Sequence, residues 1–406
     1  MTSQTQIERE MGRATDFDKL RKKRKRTLFL RRLVVLVLVA GLIYSTQFVN
    51  TFLVEHQLPT VVTNFVGRFG GPGFPVRMPA GNLEQVRALG NDIAVINGGA
   101  LHLYGANGRE LLSAQRIGEG ATLLTAGNRI FTYTFGGQPF SIYFQNRLLL
   151  DGEHDSPIRA AALGRQGNYA IVGSTMQFRS HLIVFNEQFE QRFEWFSSEL
   201  VTIVALCPSG NQVAAGSVSS RGGIFYSDVR VFAFDQRDPI AELELPDQLL
   251  LGLEYLGYGR VAVITDHGLR VLETSAGRVV GSYDIQSGEV AFSRLGGGYT
   301  LLLNEIPEDR TQTAILFGES GQELGRANIY SAVRDLQVGS SGVYILTAGG
   351  ILTYDHNMSE LGKLEQVGIE RILLAGGTLY YFIYGEIRVF ELVVEETDSY
   401  EYSRLA

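Results

Sequence analysis

From Gly81 onward the chain alternates short runs of β-branched and aromatic residues with turns of Gly, Asn, Asp and Ser, and almost none of it has helical periodicity. One pattern recurs: an apolar strand, a Gly-containing turn, then an alternating apolar strand. It reads VRALGNDIAVING from Val86, LLTAGNRIFTYTF from Leu123, AAALGRQGNYAIVGS from Ala160 and VALCPSGNQVAAGS from Val204. It returns as LEYLGYGRVAVIT from Leu253, FSRLGGGYTLLLNE from Phe292, LQVGSSGVYILTAG from Leu336 and RILLAGGTLYYFIYG from Arg371. A third strand follows each time after a variable loop, as in HLIVFNEQFEQRF at His181 or DVRVFAFDQRDPI at Asp228, and a polar turn then leads to a fourth, more polar strand.

Successive units begin roughly forty residues apart, the period of four-stranded propeller blades. Strands sandwiched between neighbouring blades become small and apolar, whereas outer strands meet solvent and alternate. The pattern predicts an all-β fold, a single β-propeller over 82–403 with eight four-stranded blades, or seven if the first or last unit is incomplete. The last unit leaves its outer strand open between two candidates. One is VVEETDSYEYSRLA after EIRVFEL, and the other is FPVRMPA from Phe74, which Pro75 and Pro79 confine to a sheet edge.

Upstream the pattern changes. Leu33–Val54, LVVLVLVAGLIYSTQFVNTFLV, is twenty-two residues without a charge. As a helix it is about 33 Å long, enough for a hydrocarbon core of roughly 30 Å. Arg21, Lys22, Lys23, Arg24, Lys25, Arg26, Arg31 and Arg32 abut it on one side only. That is the positive-inside signature, which predicts a cytoplasmic tail over 1–32, a transmembrane helix over 33–54 and everything beyond outside the cytoplasm. A cleaved secretory signal fits less well, because the basic region is long and no small-x-small cleavage pattern follows. Between helix and propeller, 55–81 holds four of the ten prolines and a Gly-Gly-Pro-Gly cluster, and reads as a stalk.

Charge sharpens this division. The net charge is -7, yet residues 1–32 hold eleven Lys/Arg against four Asp/Glu, so the rest of the chain is strongly acidic. No aromatic residue interleaves with the basic run for base stacking, so attraction to anionic headgroups of the lipid bilayer is the expected role and nucleic acid is not an expected partner. A single cysteine, Cys207, allows no intrachain disulfide framework.

The basic tail, the single span, GFPV at Gly73–Val76 and repeats such as NDIAVINGGALHLYGANGREL from Asn91 together resemble a family of membrane-anchored propeller proteins of unknown function from Gram-positive bacteria. More loosely the chain is similar to the quinoprotein-like propeller superfamily, which includes envelope scaffold proteins and quinone-dependent dehydrogenases. The resemblance implies an architecture and no catalytic residues. The chain departs from the dehydrogenases in having one tryptophan, Trp195, and it lacks the WD dipeptides that close WD40 blades.

Candidate chemistry is sparse. The six histidines, His56, His102, His154, His181, His267 and His356, show no metal-ligand spacing, and there is no second cysteine for zinc. DQRD (Asp235–Asp238) and EIPEDR (Glu305–Arg310) group carboxylates without an EF-hand pattern and read as solvated turns. GEGATLLTAGN and LGGGYT are Gly-rich, but no helix follows to meet a phosphate. Leu206 and Pro208 offer Cys207 neither base nor cation. No cofactor, metal or catalytic residue is expected. The sequence thus points to a protein- or glycan-binding scaffold of the cell envelope that is not an enzyme. The alternative is a hydrolase or lyase whose acidic residues and histidines converge in the propeller channel. Long insertions over Val218–Asp228 and Asn304–Thr313 are expected to project as binding loops.

Overall fold

The computed structural model describes residues 71–391, apart from 115, 116, 119 and 307–310. The basic tail, the segment 33–54, the first part of the stalk, His56 and residues 392–403 lie outside the described residues. No helix among the described residues is long and apolar enough to cross a membrane.

Among the described residues there are eight antiparallel four-stranded sheets, and in seven of them the strands are consecutive in the chain. The sheets form the eight blades of a propeller. Their first, innermost strands are Leu83–Leu89, Ala121–Ala126, Ala160–Leu163, Leu200–Leu206, Leu250–Tyr255, Glu289–Gly296, Val333–Gly339 and Ile369–Ala375, numbered here as blades 1 to 8.

Packing between blades explains the sequence pattern. Second strands such as Asp92–Asn97 and Gly342–Thr347 are buried along their whole length, because a neighbouring blade covers each of their faces. Outer strands such as Arg278–Asp284 alternate between exposed and half-buried positions. The buried side chains fall into eight apolar clusters, one at each seam between adjacent blades. The seam between blades 8 and 1 joins Leu373, Phe382 and Ile387 to Val86, Ile93 and Val95, and this closes the ring.

The eighth blade settles its outer strand in favour of the N-terminal candidate. Val76–Arg77 pairs antiparallel with the third strand of that blade, Val76 opposite Ile387 and Arg77 opposite Glu386. The C-terminal end of the segment read as a stalk therefore belongs to the propeller. Pro75 precedes the strand and Pro79 follows its last bond, Met78 N donating to Gly385 O, so neither ring removes a ladder donor.

The expected insertion over Val218–Asp228 is not a loop. The second and third strands of blade 4 run on as one long hairpin, Gln212–Arg221 against Ile224–Ala233, paired to its tip at Arg221 and Ile224. Only Gly222 and Gly223 turn the chain, both at positive φ. The period-2 pattern of SVSSR and IFYSD is that of strands, which is the physical reason the segment pairs rather than loops.

Because every strand is antiparallel to the next, turns between first and second and between third and fourth strands share one side of the ring, here the turn face. Loops between second and third strands and between blades share the other, the loop face. The chain enters on the turn face, where Gly73 N donates to Asn107 O in the third-to-fourth turn of blade 1.

Candidate functional site

Two regions concentrate groups that the packing does not require: the loop face and the axial channel.

Large apolar side chains are unevenly exposed. Among the described residues eleven lie on the loop face: Phe135, Met176, Phe178 and Tyr384 in second-to-third loops, Leu249, Tyr330 and Val367 between blades, and Phe196, Ile224, Phe225 and Leu251 at adjoining strand ends. The turn side has Tyr258 and, at the start of fourth strands, Leu148, Val279 and Leu361. Tyr330 is 92 % exposed, Tyr384 73 % and Phe135 70 %. On blade 3 the apolar groups touch: the Phe178 and Phe196 rings are 5.2 Å apart, and His181 stacks on Phe196 at 4.3 Å. Contiguous exposed apolar surface of this kind costs solubility and marks contact sites.

Beside it, the blade 4 hairpin is held by an ionic network. Arg221 bonds Asp228 and Glu244 at 2.6 Å each, and Arg230 bonds Glu199 at 2.6 Å. Burial opposes ionisation of Glu199, but Arg230, the Ser217 hydroxyl and Arg221 outweigh it and hold the carboxyl below its usual range. Burial and the nearby Glu199 charge push Asp228 up. These carboxylates are clamped by guanidiniums on an outer hairpin, a structural arrangement.

The channel is built from the first strands. Six of them carry a β-bulge at one place, leaving Glu84, Thr202, Leu251, Ala291, Arg334 and Glu370 unpaired. A bulge re-aims side chains, and Thr202, Leu251, Arg334 and Glu370 are exposed although their strands are the innermost. They stand at the second or third residue of the first strand, at its loop-face end.

The first strands also present an unpaired backbone edge to the channel, and the preceding blade caps it. Gln85 donates to Ala121 O (2.9 Å) and accepts from Leu123 N (3.0 Å). Gln337 donates to Ile372 O (3.1 Å) and accepts from Leu374 N (3.4 Å). Arg294 donates to Leu336 O (2.8 Å), and Asp335 accepts from Ile372 N (3.2 Å). These bonds occupy backbone groups on the inner edges of blades 2, 7 and 8 that have no strand partner.

Register places one position of each blade at a common level of the channel. Opposite the third residue of the second strand, or in the shorter strand of blade 3 the second, stand Arg87, Leu124, Ala162, Ala205, Glu254, Arg294, Gln337 and Leu373. Of these, Ala162, Ala205 and Leu373 are buried in the seams, while Arg87 and Arg294 are half-buried. Glu254 keeps exposed surface, yet the ring encloses it, and that burial pushes its carboxyl up although Arg294, Arg165 and Arg87 pull the other way. Burial, and then the like charge of Arg294, lower Arg87.

The raised Glu254 carboxyl has a consequence for stability. A group whose folded pKa exceeds its unfolded one contributes stability that is fully present below the unfolded pKa, about 4.3, and is lost as pH rises through the folded value. Glu254→Gln, which never ionises, is expected to match the native chain below about pH 4 and to unfold at higher denaturant than the native chain at pH 7. Urea titrations at the two pH values check this, and a less stable variant at pH 7 would contradict it.

Among the described residues, those singled out in the sequence do not converge; His56 and residues 307–310 lie outside them. His102 bonds Glu110 (2.7 Å), His154 bonds Ser156 O (2.9 Å), His181 bonds Glu194 (2.6 Å), His267 bonds Asp266 (2.9 Å) and His356 bonds Gly339 O (2.9 Å), each in its own place. Asp235–Asp238 is an exposed third-to-fourth turn. Cys207 is fully buried in the seam between blades 4 and 5, its thiol 3.0 Å from Ser209 Oγ. Among the described residues no group of His, Cys, Asp and Glu could hold a metal. The channel charges were missed. Their signal is a charged residue inside an apolar first strand two or three residues before a Gly, in VRALG, LEYLG and FSRLG.

No family model and no curated protein matches this sequence. Solved structures do. The computationally designed Ika8 protein matches with a TM-score of 0.58 at 14% identity, covering 80% of this chain and 100% of that one. Sqt1 of Chaetomium thermophilum, solved bound to the N-terminus of the ribosomal protein L10, matches with a TM-score of 0.55 at 12% identity, over 78% of this chain and 98% of that one. BamB of Moraxella catarrhalis is a more distant likeness, with a TM-score of 0.39 at 10% identity over 67% and 96%. At these identities the likeness is one of fold, and the chain is an eight-bladed β-propeller.

Proposed function

We propose that the chain is a single-pass membrane protein, amino terminus cytoplasmic, whose extracytoplasmic propeller binds a protein or glycan partner of the cell envelope through the loop face and acts as a scaffold. The observation that carries this reading is the gathering of exposed aromatic and aliphatic side chains on one face of the described propeller, while the described chain enters it from the other face. The anchor and its orientation rest on Leu33–Val54 and the one-sided basic run. Solved propellers of the same fold include one bound to a protein segment, the Sqt1 complex, which illustrates what such a scaffold accommodates.

A second reading, a hydrolase or lyase, has one observation in its favour: a carboxyl with raised pKa in the channel, Glu254, suits a proton donor. Among the described residues no second carboxylate stands at the level of Glu254, and Asp335 is taken up by Arg294 and two backbone amides. We therefore place binding first.

Protease treatment of intact cells tests the placement. A tag at the amino terminus is expected to survive while the propeller is reached from outside; digestion of the tag in intact cells would overturn the orientation. For the surface, Phe178→Asp with Tyr330→Asp is expected to abolish partner retention with stability lowered by no more than about 1.5 kcal/mol, the worth of the Phe178–Phe196 ring contact, because neither side chain is in the core.

A further inference from the structure

Edge capping accounts for some channel residues and leaves others unused. Gln85, Gln337, Asp335 and Arg294 bond the next blade. Arg87 makes only a bond to its neighbour's carbonyl, Val86 O at 3.0 Å. Arg165 stands exposed in the first-to-second turn of blade 3, and neither its side chain nor that of Glu254 makes a hydrogen bond or ion pair with any other described residue. Three guanidiniums act on one carboxyl, and two of them have no carboxylate of their own.

We propose that the axial channel at the level of Glu254, Arg87 and Arg294, with Arg165 at its mouth, binds a small organic oxyanion, a carboxylate or phosphate that carries a hydroxyl or ammonium beside its charge. The oxyanion is held by Arg87 and Arg165, which pair with no carboxylate of their own, and the adjacent donor is received by Glu254. Guanidinium forks suit planar oxyanions, and burial between protein walls strengthens each bond. Two like charges near one axis, Arg87 and Arg294, oppose folding and have no structural return at Arg87, which is the mark of a group kept for a ligand. This inference is independent of the partner surface on the loop face.

Calorimetric titration of the full chain in detergent, at fixed ionic strength, with glycolate, acetate and inorganic phosphate tests it. Saturable one-site binding is expected for glycolate or phosphate, with glycolate bound more tightly than acetate. Arg87→Gln and Arg165→Gln are each expected to weaken binding at least about tenfold, as loss of a charge-assisted bond does. Glu254→Ala is expected to erase the preference for glycolate over acetate. Arg165 lies in an exposed turn, so its variant keeps the fold. Stronger binding of phosphate than of glycolate would support the site and identify the ligand as a phosphate ester. Absence of saturable binding for all three anions, or unchanged affinity in both arginine variants, would overturn the proposal.

Discussion

Phe131→Ala is expected to lower the stability of the propeller by about 3–5 kcal/mol, the cost of emptying a large aromatic site in a packed core. Phe131 is fully buried at the seam between blades 2 and 3. Its ring lies 5.8 Å from Tyr133, 5.6 Å from Phe140 and 5.8 Å from Tyr169, so truncation removes three aromatic contacts at once. The surrounding strands are tied to their own sheets by ladder bonds and cannot collapse inward to fill the space. At the size of this domain the loss corresponds to a melting temperature lower by roughly 5–8 °C. Phe131→Leu, which keeps most of the volume, is expected to cost less than half as much. Equal losses for both would mean that the seam is not packed as described.

Opening the closure of the ring is expected to cost about as much. Phe74 packs its ring 5.0 Å from Tyr380, and Val76 pairs with Ile387, which is fully buried. Phe74→Asp combined with Val76→Asp places two charges in the seam between blades 8 and 1 and strips the outer strand from blade 8. A loss of about 3 kcal/mol or more is expected. Hydrogen exchange separates this from a general weakening. The amides of Glu386–Val389 and of the last seam are expected to lose protection first, with the second strand of blade 4 unchanged. Arg77, on the exposed side of the same strand, is expected to tolerate alanine. Uniform loss of protection around the ring would contradict a local closure.

How much of this was legible beforehand follows from what repeats. Eight second strands buried on both faces must be continuously apolar, so VAVIT, VYILT and LYYFI announce themselves, and the Gly turns beside them fix the count of blades. The closing strand was legible only as one of two candidates, because Val76 and Arg77 make a two-residue strand that no periodicity can reveal. The long blade 4 hairpin was misread as a loop because Gly222 and Gly223 signal a turn without saying how far the pairing runs on either side.

The channel was illegible for a different reason. Arg87, Glu254 and Arg294 lie far apart in sequence, and only ring closure and shared register bring them to one level. The loop face was hidden likewise, since Phe135, Phe178, Tyr330 and Tyr384 are single residues in unrelated loops that gather on one side of the ring by topology alone. The separation of the histidines, by contrast, was already suggested by their spacing.

The central claim, a tethered propeller that engages a partner through its loop face, is tested most directly by site-specific photocrosslinking in the native membrane. A photoreactive residue is placed at Phe178, at Tyr330 and, on the turn face, at Tyr258, all exposed positions. The account expects the same neighbouring molecule to be captured from Phe178 and Tyr330 in repeated experiments and not from Tyr258. Capture from Tyr258 alone, or no reproducible adduct from either loop-face position, would contradict it.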